Sequence, residues 1–322
     1  MEDIRSSARL YGSVRLGEHA HIAQGCVVRS ESGSVAIGAQ TAILENSVVI
    51  GTEKAPVKVG AKTIFGHKCI VIGAEIGNLC EIGNGTLFLP GSKLGDRCIT
   101  GEGTLVPANT NIPAGSVIVG RPGRVIRSLT KADAAMIKRM RGGDIALPQD
   151  TNIRTIENTR GENMGTLYAY KGKKPALADR VILYDSAEIT GDVQIGEGSV
   201  IASGVRIIGN AHGPVRIGKH VQILENTVLH LLPDNELVIE DHVTIGPSCI
   251  IHGTHIGPHT IIEAGATVCD YSRIGENCRI TAGSLVKQRD VIPPGKQAEG
   301  FPAKVTGNNS DTSRPNWAIR EG

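Results

Sequence analysis

At 322 residues the chain has room for two domains of ordinary size, and a formal net charge of +2 excludes the strong field that recruits nucleic acid or a membrane surface. Glycine, at 41 residues, is nearly twice its usual share of about 7%, while aromatic residues make up only 3%, a balance that suits many tight corners around a thin aliphatic core. The seven cysteines (Cys26, Cys69, Cys80, Cys98, Cys249, Cys269, Cys278) are odd in number and form no CxxC pair, which excludes a disulfide framework and a thiolate zinc knuckle and points to reduced thiols in a cytoplasmic protein.

The start, MEDIRSSARLYG, lacks a basic stretch leading into an apolar one, and no apolar run approaches the roughly 20 residues that span a bilayer. A soluble, non-exported protein is expected. From Ile64 onward, aliphatic residues return every sixth position: Ile64, Ile70, Ile76, Ile82, Phe88, Leu94, then Val106, Ile112 and Ile118, with Thr100 the polar member. Neither the helical period of 3.6 nor the strand period of 2 gives such a repeat, but a coil of short strands with a corner after each does. Residues after the aliphatic position are often Gly, Asn, Asp or Pro, as in IGNLCE and IGNGTL, types that tolerate corner torsions. The pattern resembles the left-handed parallel β-helix of the hexapeptide-repeat superfamily, three strands to a triangular turn.

This first prism runs over about residues 10–126 and is followed by SLTKADAAMIKRMRGG. There Leu129, Met136 and Met140 share a helical face, Thr130 and Asp133 can cap the start, and Gly142 and Gly143 close it, predicting a helix along the prism wall. Residues 144–165 are polar without period and read as a linker. A second hexad run follows, Ile250, Ile256, Ile262, Val268, Ile274, Ile280, Val286 and Ile292. The expected fold is therefore all-β with peripheral helices: a prism plus helix over 1–143, the linker, and a second prism plus polar tail over 166–322. The tail, GNNSDTSRPNWAIREG, holds the only tryptophan, Trp317. It reads either as a loose terminus or as a segment that docks on a neighbour.

The two prisms are copies. AILENSVVI (42–50) returns as QILENTVLH (222–230), and Leu224 lies 180 residues after Leu44. Across that offset the copies differ in histidines. The second carries His230, Pro247 and His252, at spacings of 17 and 22 from the first position, where the first carries Ile50, His67 and Ile72. Each copy supplies a histidine where the other lacks one.

The second copy resembles γ-class carbonic anhydrases over nearly its whole length: YAYKGKKPALADRVILYDSAEITGDVQIG at its start, then GPVRIG, TVLH and CIIHGTHIG, and PPGKQAEGFPAKV at its end. The first copy looks like a shorter, more diverged relative ending in IPAGSVIVGRPGRV. The resemblance implies a trimeric packing of prisms with a metal, Zn²⁺ or another divalent ion such as Fe²⁺ or Co²⁺, held between neighbours by the histidines of an H-x16-H-x4-H motif. Mapped onto this chain, His230 and His252 match the first and third ligands, and His67 of the other copy takes the middle position that Pro247 vacates. Three neutral imidazoles leave Zn²⁺ its full charge and a fourth position open to water, whose pKa falls to about 7. Hydroxide attack on CO₂ is the reaction implied.

Other positions depart from the family pattern. An Arg-Gly-acid segment that bridges neighbouring prisms survives as Arg29 and Glu31 in the first copy and is lost as Ile208 and Asn210 in the second; Arg29 reads either as a site residue or as one half of a structural ion pair. The Gln-Asp pair ahead of the first ligand is Leu44-Glu45 in one copy and Leu224-Glu225 in the other. No Gln is left to orient a hydroxide, while Glu45 or Glu225 can accept a proton or hold a ligand histidine. The missing amide keeps a related carbonyl-like electrophile open beside CO₂. The segment HLLPDNEL (230–237) breaks the period directly after His230 and is expected to overhang the metal, with Leu231 and Leu232 as an apolar rim. His255 and His259 read as proton carriers or as solvated corner residues.

The expectation is thus a zinc-dependent lyase of carbonic anhydrase type, a homo-oligomer taking a small-molecule substrate, without nucleic acid or membrane partners. Two rival readings stand beside it: a hexapeptide acyltransferase or thioesterase using one histidine as base on an acyl-CoA, and a non-catalytic assembly module.

Overall fold

Two-residue strands separated by four-residue corners build most of the chain, as in Glu81–Ile82, Leu87–Phe88, Lys93–Leu94 and Ile99–Thr100. Each sends its second residue inward, where Ile82, Phe88 and Leu94 are buried. Every third strand pairs in parallel, Glu81 with Ile99, Leu87 with Leu105 and Lys93 with Asn111. Three strands therefore complete one turn, and the fold is a left-handed parallel β-helix. Burying one such aliphatic side chain stabilises by about 1.5–3 kcal/mol.

The computed structural model describes residues 4–148, 153–158, 165–209 and 213–319, and the chain divides into two compact units, Met1–Arg160 and Gly161–Gly322. The second unit has three sheets of seven, seven and eight strands, one per prism face. In the first unit two faces merge into an eleven-stranded sheet, because the strand Val27–Ile37 runs on around the corner, pairing Val27 with Val48 at one end and Val35 with Val57 at the other. Each prism ends in an antiparallel hairpin, Ser116–Gly120 with Gly123–Ser128 and Lys296–Gly300 with Ala303–Asn308. Among the described residues no helix is long and apolar enough to cross a membrane.

The hexad phase differs from the sequence reading at the first members of each run. Phe65 and Val71, not Ile64 and Ile70, point into the first prism, and Ile251, not Ile250, points into the second, where Ile250 is 44% exposed. The cause is a shortened corner: Val71 to Ile76 and Ile251 to Ile256 each advance five residues rather than six. Both shortenings fall in the coil that carries residue 72 or 252. Thr100 keeps its place in the ladder because its hydroxyl meets the Gly83 N–H at 3.0 Å and the Thr86 hydroxyl at 3.1 Å.

Corners are less restricted in residue type than expected. Lys62, Leu79, Arg97 and Tyr271 all adopt φ between +54° and +61°. Their backbone N–H groups bond the preceding coil, Leu79 to Ala61 O at 2.9 Å and Arg97 to Asn78 O at 2.7 Å, which offsets the cost of a left-handed conformation.

The helix forms over Lys131–Met140 with Thr130 and Asp133 in a reciprocal capping box, and Gly142 and Gly143 close it with positive φ. Its seated residue is Ile137, while Met140, expected on the inner face, is 50% exposed. Arg141 fixes this pose: its Nε donates to Lys62 O at 2.7 Å, its Nη2 to Cys80 O at 3.2 Å, and its guanidinium pairs with Glu81. Within the stretch read as a linker, Arg154–Asn158 forms a strand antiparallel to Arg9–Leu16; residues 149–152 and 159–164 lie outside the described set. The tail docks on its own prism. The Gln222 side chain donates to Ile319 O at 2.7 Å and accepts from Ile319 N–H at 3.0 Å, and Trp317, Ala318 and Ile319 are buried.

Candidate metal centre

In the second unit Val228 pairs with Ile250 and Leu229 with Ile251 in parallel register. The residues that follow, His230 and His252, therefore take the same position in consecutive coils, and their N–H groups continue the ladder to Ile251 O at 3.0 Å and Val268 O at 2.8 Å. Their rings lie 5.9 Å apart, centroid to centroid, at 76°. Two imidazoles on one tetrahedral ion, with Zn–N of about 2.0–2.1 Å, have centroids roughly 5 Å apart. The pair fits a metal. Among the described residues no group of three His, Cys, Asp or Glu side chains stands ready to hold an ion, so this prism offers two ligands of the expected three.

Behind His252 lies a residue the sequence reading did not single out. Its Nδ1 meets Asp270 Oδ2 at 2.8 Å. Burial pushes the Asp270 carboxyl up, but hydrogen bonds from the Leu232 N–H, His252 and Asn235 outweigh it and hold the group below its usual range. The signal was present as spacing: Asp270 follows His252 by 18 residues, one more than the local coil that sets Ile251 beside Val268, which puts it at the corner next to His252 in the following coil. The 230–237 segment does leave the coil, as the break in period predicts. Leu231, however, is fully buried and only Leu232, 38% exposed, faces outward, so the apolar rim is one residue rather than two.

In the first unit Ile50 pairs with Ile72 in the matching register, two side chains without ligand atoms. His67 sits at a corner, its N–H donating to Asn84 Oδ1 at 2.7 Å. Its Nδ1 lies 2.8 Å from Glu45 Oε2, and its side chain is 53% exposed. Glu45 is held below the usual carboxylate range, first by its own backbone N–H and then, against desolvation, by His67. The imidazoles of His67 and His252 both have a carboxylate oxygen 2.8 Å from Nδ1, but only at His252 does the contact have hydrogen-bond geometry, the arrangement that keeps the lone pair on Nε2. The matching corner of the second unit has Pro247, and Glu225, equivalent to Glu45, is buried there.

Arg29 and Glu31 pair within one strand, Nη1 to Oε1 at 3.2 Å with the arginine side chain 7% exposed. Of the lost counterpart, Ile208 falls in the strand Arg206–Gly209, and Asn210 lies outside the described residues. His255 pairs through Nε2 with Glu240 Oε1 at 2.6 Å. His259 belongs to a different corner, stacked on His242 at 4.8 Å, which stacks in turn on His220 at 5.1 Å. Neither His255 nor His259 joins the His230–His252 pair. A shallow groove of about 420 Å³ opens elsewhere on this prism, lined by Gln194, Arg216, Val238, Glu240 and Pro258, and contains no ligand histidine.

Comparison with known proteins finds relatives of the repeat itself. Models of the bacterial transferase hexapeptide (six repeats) match residues 237–270 and 253–288, and the hexapeptide repeat of succinyl-transferase matches 56–87. A carbonic anhydrase of Geobacillus kaustophilus is 42% identical over 139 residues, which cover 43% of this chain and 76% of that protein. The chain belongs to the γ-carbonic-anhydrase-like hexapeptide-repeat family. The mitochondrial γ carbonic anhydrase 2 of Arabidopsis thaliana is 35% identical over 145 residues, 43% of this γ-carbonic-anhydrase-like chain and about half, 52%, of the plant protein. Among solved structures, a hexapeptide transferase family protein from Anaplasma phagocytophilum is 31% identical over 44% of this chain and 83% of that one, at a TM-score of 0.43.

Proposed function

We propose that this protein is a metal-dependent γ-carbonic-anhydrase-like enzyme, a lyase acting on CO₂ or a related carbonyl-like electrophile. The reading is supported above all by the His230–His252 pair, two imidazoles set edge to face at the same position of consecutive coils with the Nδ1 of His252 engaged by a carboxylate. Zn²⁺ is the leading metal, with Fe²⁺ or Co²⁺ as alternatives, and when bound it supplies the Lewis acidity that makes water nucleophilic near neutral pH. His230 and His252 bind and orient the ion. His67, supplied by a first-unit prism as prisms assemble in trimeric fashion, is the third ligand, with the Glu45 carboxylate beside its imidazole as a neighbouring negative charge. Glu225 is a proton acceptor of the same site, and the Arg29–Glu31 pair supports the assembly. Leu232 at the lip of the loop excludes water on one side.

Acyl transfer with a histidine base is the competing reading, favoured by the transferase hexapeptide models that match. Elemental analysis beside a CO₂ hydration assay separates them. The wild type is expected to hold a divalent ion that His230→Ala, His252→Ala and His67→Ala each lose, with activity abolished by chelation and restored by Zn²⁺. Protein purified without metal, or a His67→Ala variant holding as much as the wild type, defeats the shared three-histidine site; activity on an acyl-CoA that survives chelation favours transfer.

A further inference from the structure

Asp270 is 5% exposed, and both of its oxygens are engaged. Oδ1 accepts from the Leu232 N–H at 3.1 Å, the Gly253 N–H at 3.1 Å and Asn235 Nδ2 at 3.2 Å, while Oδ2 faces His252 Nδ1 at 2.8 Å. A carboxylate offers about four acceptor sites, and here four donors come from the loop after His230, the corner after His252, and the imidazole itself. Asn235 also donates to Gly253 O at 2.8 Å. The loop lies so close that a Cβ on Gly253 would stand 2.2 Å from Asn235 Nδ2.

The first copy serves as an internal control. At the offset of 180 residues, Ile72 replaces His252, Pro90 replaces Asp270 and Ala55 replaces Asn235. Gly73, the counterpart of Gly253, is kept, and a Cβ there would meet Ala55 Cβ at 2.5 Å. The first prism thus builds the same close-packed corner and loop with no carboxylate, closing its loop instead by Thr52 N–H to Ala55 O at 3.0 Å. The corner does not need Asp270; the histidine accompanies it.

We propose that Asp270 is a positioning residue: it accepts the Nδ1–H of His252, fixes the tautomer that presents Nε2 to a cation, and is itself held by the His230–Leu237 loop. The inference rests on the metal-binding reading above. It assigns to Asp270 and Asn235 a role that the histidine spacing does not disclose. An acceptor on Nδ1 forces the proton there and leaves the lone pair on Nε2, and such outer partners commonly set metal affinity by 10–100-fold.

Asp270→Asn tests this with little risk to the fold. The amide oxygen can still accept from Leu232, Gly253 and Asn235, while the amide nitrogen turned toward His252 donates to Nδ1 and moves the imidazole proton to Nε2. Imidazole ¹H–¹⁵N spectra of the metal-free full chain are expected to show His252 protonated at Nδ1 in the wild type and at Nε2 in Asp270→Asn. Zinc affinity, measured by chelator competition, is expected to fall about 10–100-fold in the variant with the thermal midpoint nearly unchanged. Asn235→Ala, which loosens the anchor but leaves the carboxylate, is expected to lose less. If His252 keeps its Nδ1 proton in Asp270→Asn, or if that variant binds zinc as the wild type does, the proposal is overturned while the metal reading stands. A wild type that binds no more zinc than His230→Ala overturns the metal reading itself, and the positioning role with it.

Discussion

A left-handed corner costs an L-residue about 1–2 kcal/mol, and this chain meets that cost at many side chains besides glycine. Arg97 is an exposed example, with φ of +54° and its N–H on Asn78 O at 2.7 Å. Replacing it by glycine removes the steric penalty and adds backbone entropy to the unfolded chain, so Arg97→Gly is expected to leave stability within about 1 kcal/mol of the wild type. Arg97→Val places a β-branched residue in the same conformation and is expected to cost about 1–3 kcal/mol. Chemical denaturation of the two variants checks the sign, and a valine variant as stable as the glycine one means the backbone relaxes. The corner residues are thus chosen by solvent and by stacking, and their torsions are imposed by the ladder on either side.

At the scale of single elements, stability comes from what lashes one coil to the next. Near the start of the second unit Asp192 binds Lys173 at 2.6 Å and Arg216 at 2.8 Å, reaching one coil either way. The Lys173 hydrogen bond, then that of Arg216, holds the Asp192 carboxyl below its ordinary 3.8. A carboxyl whose folded pKa is depressed stabilises the fold fully above its ordinary value, and that stabilisation fades as the pH falls through the folded value. Asp192→Asn is therefore expected to lower the unfolding midpoint at pH 7 and to narrow its difference from the wild type below pH 3.8. A variant melting in parallel with the wild type across that range shows that solvent screens the pair.

For each whole unit, the core is three ladders of aliphatic residues in which every coil contacts only its neighbours, as in a solenoid. Ile262, fully buried between Ile245 and Ile280 in its ladder, has no other layer to repack against. Ile262→Ala is expected to cost about 2–5 kcal/mol, read by urea denaturation, and to raise hydrogen exchange first in the coils on either side. A loss confined to a few tenths of a kcal/mol shows that the prism closes over the gap.

The sequence by itself determined the fold, because a period of six over long runs has no other physical reading than a three-sided coil. It also set out the histidine differences, because the two copies share one offset. It misplaced the phase at Ile64, Ile70 and Ile250, since a corner one residue short leaves the same residue types in view and shifts only which of two adjacent aliphatics turns inward. The tertiary structure decided what period cannot carry: that Glu45 faces His67, that Asp270 faces His252, that Leu231 is core, that the Trp317 tail folds back on Gln222. Each is a contact between neighbouring coils or from a segment outside the repeat, and side-chain direction across a coil follows from register in three dimensions, which the order of residues along the chain does not fix.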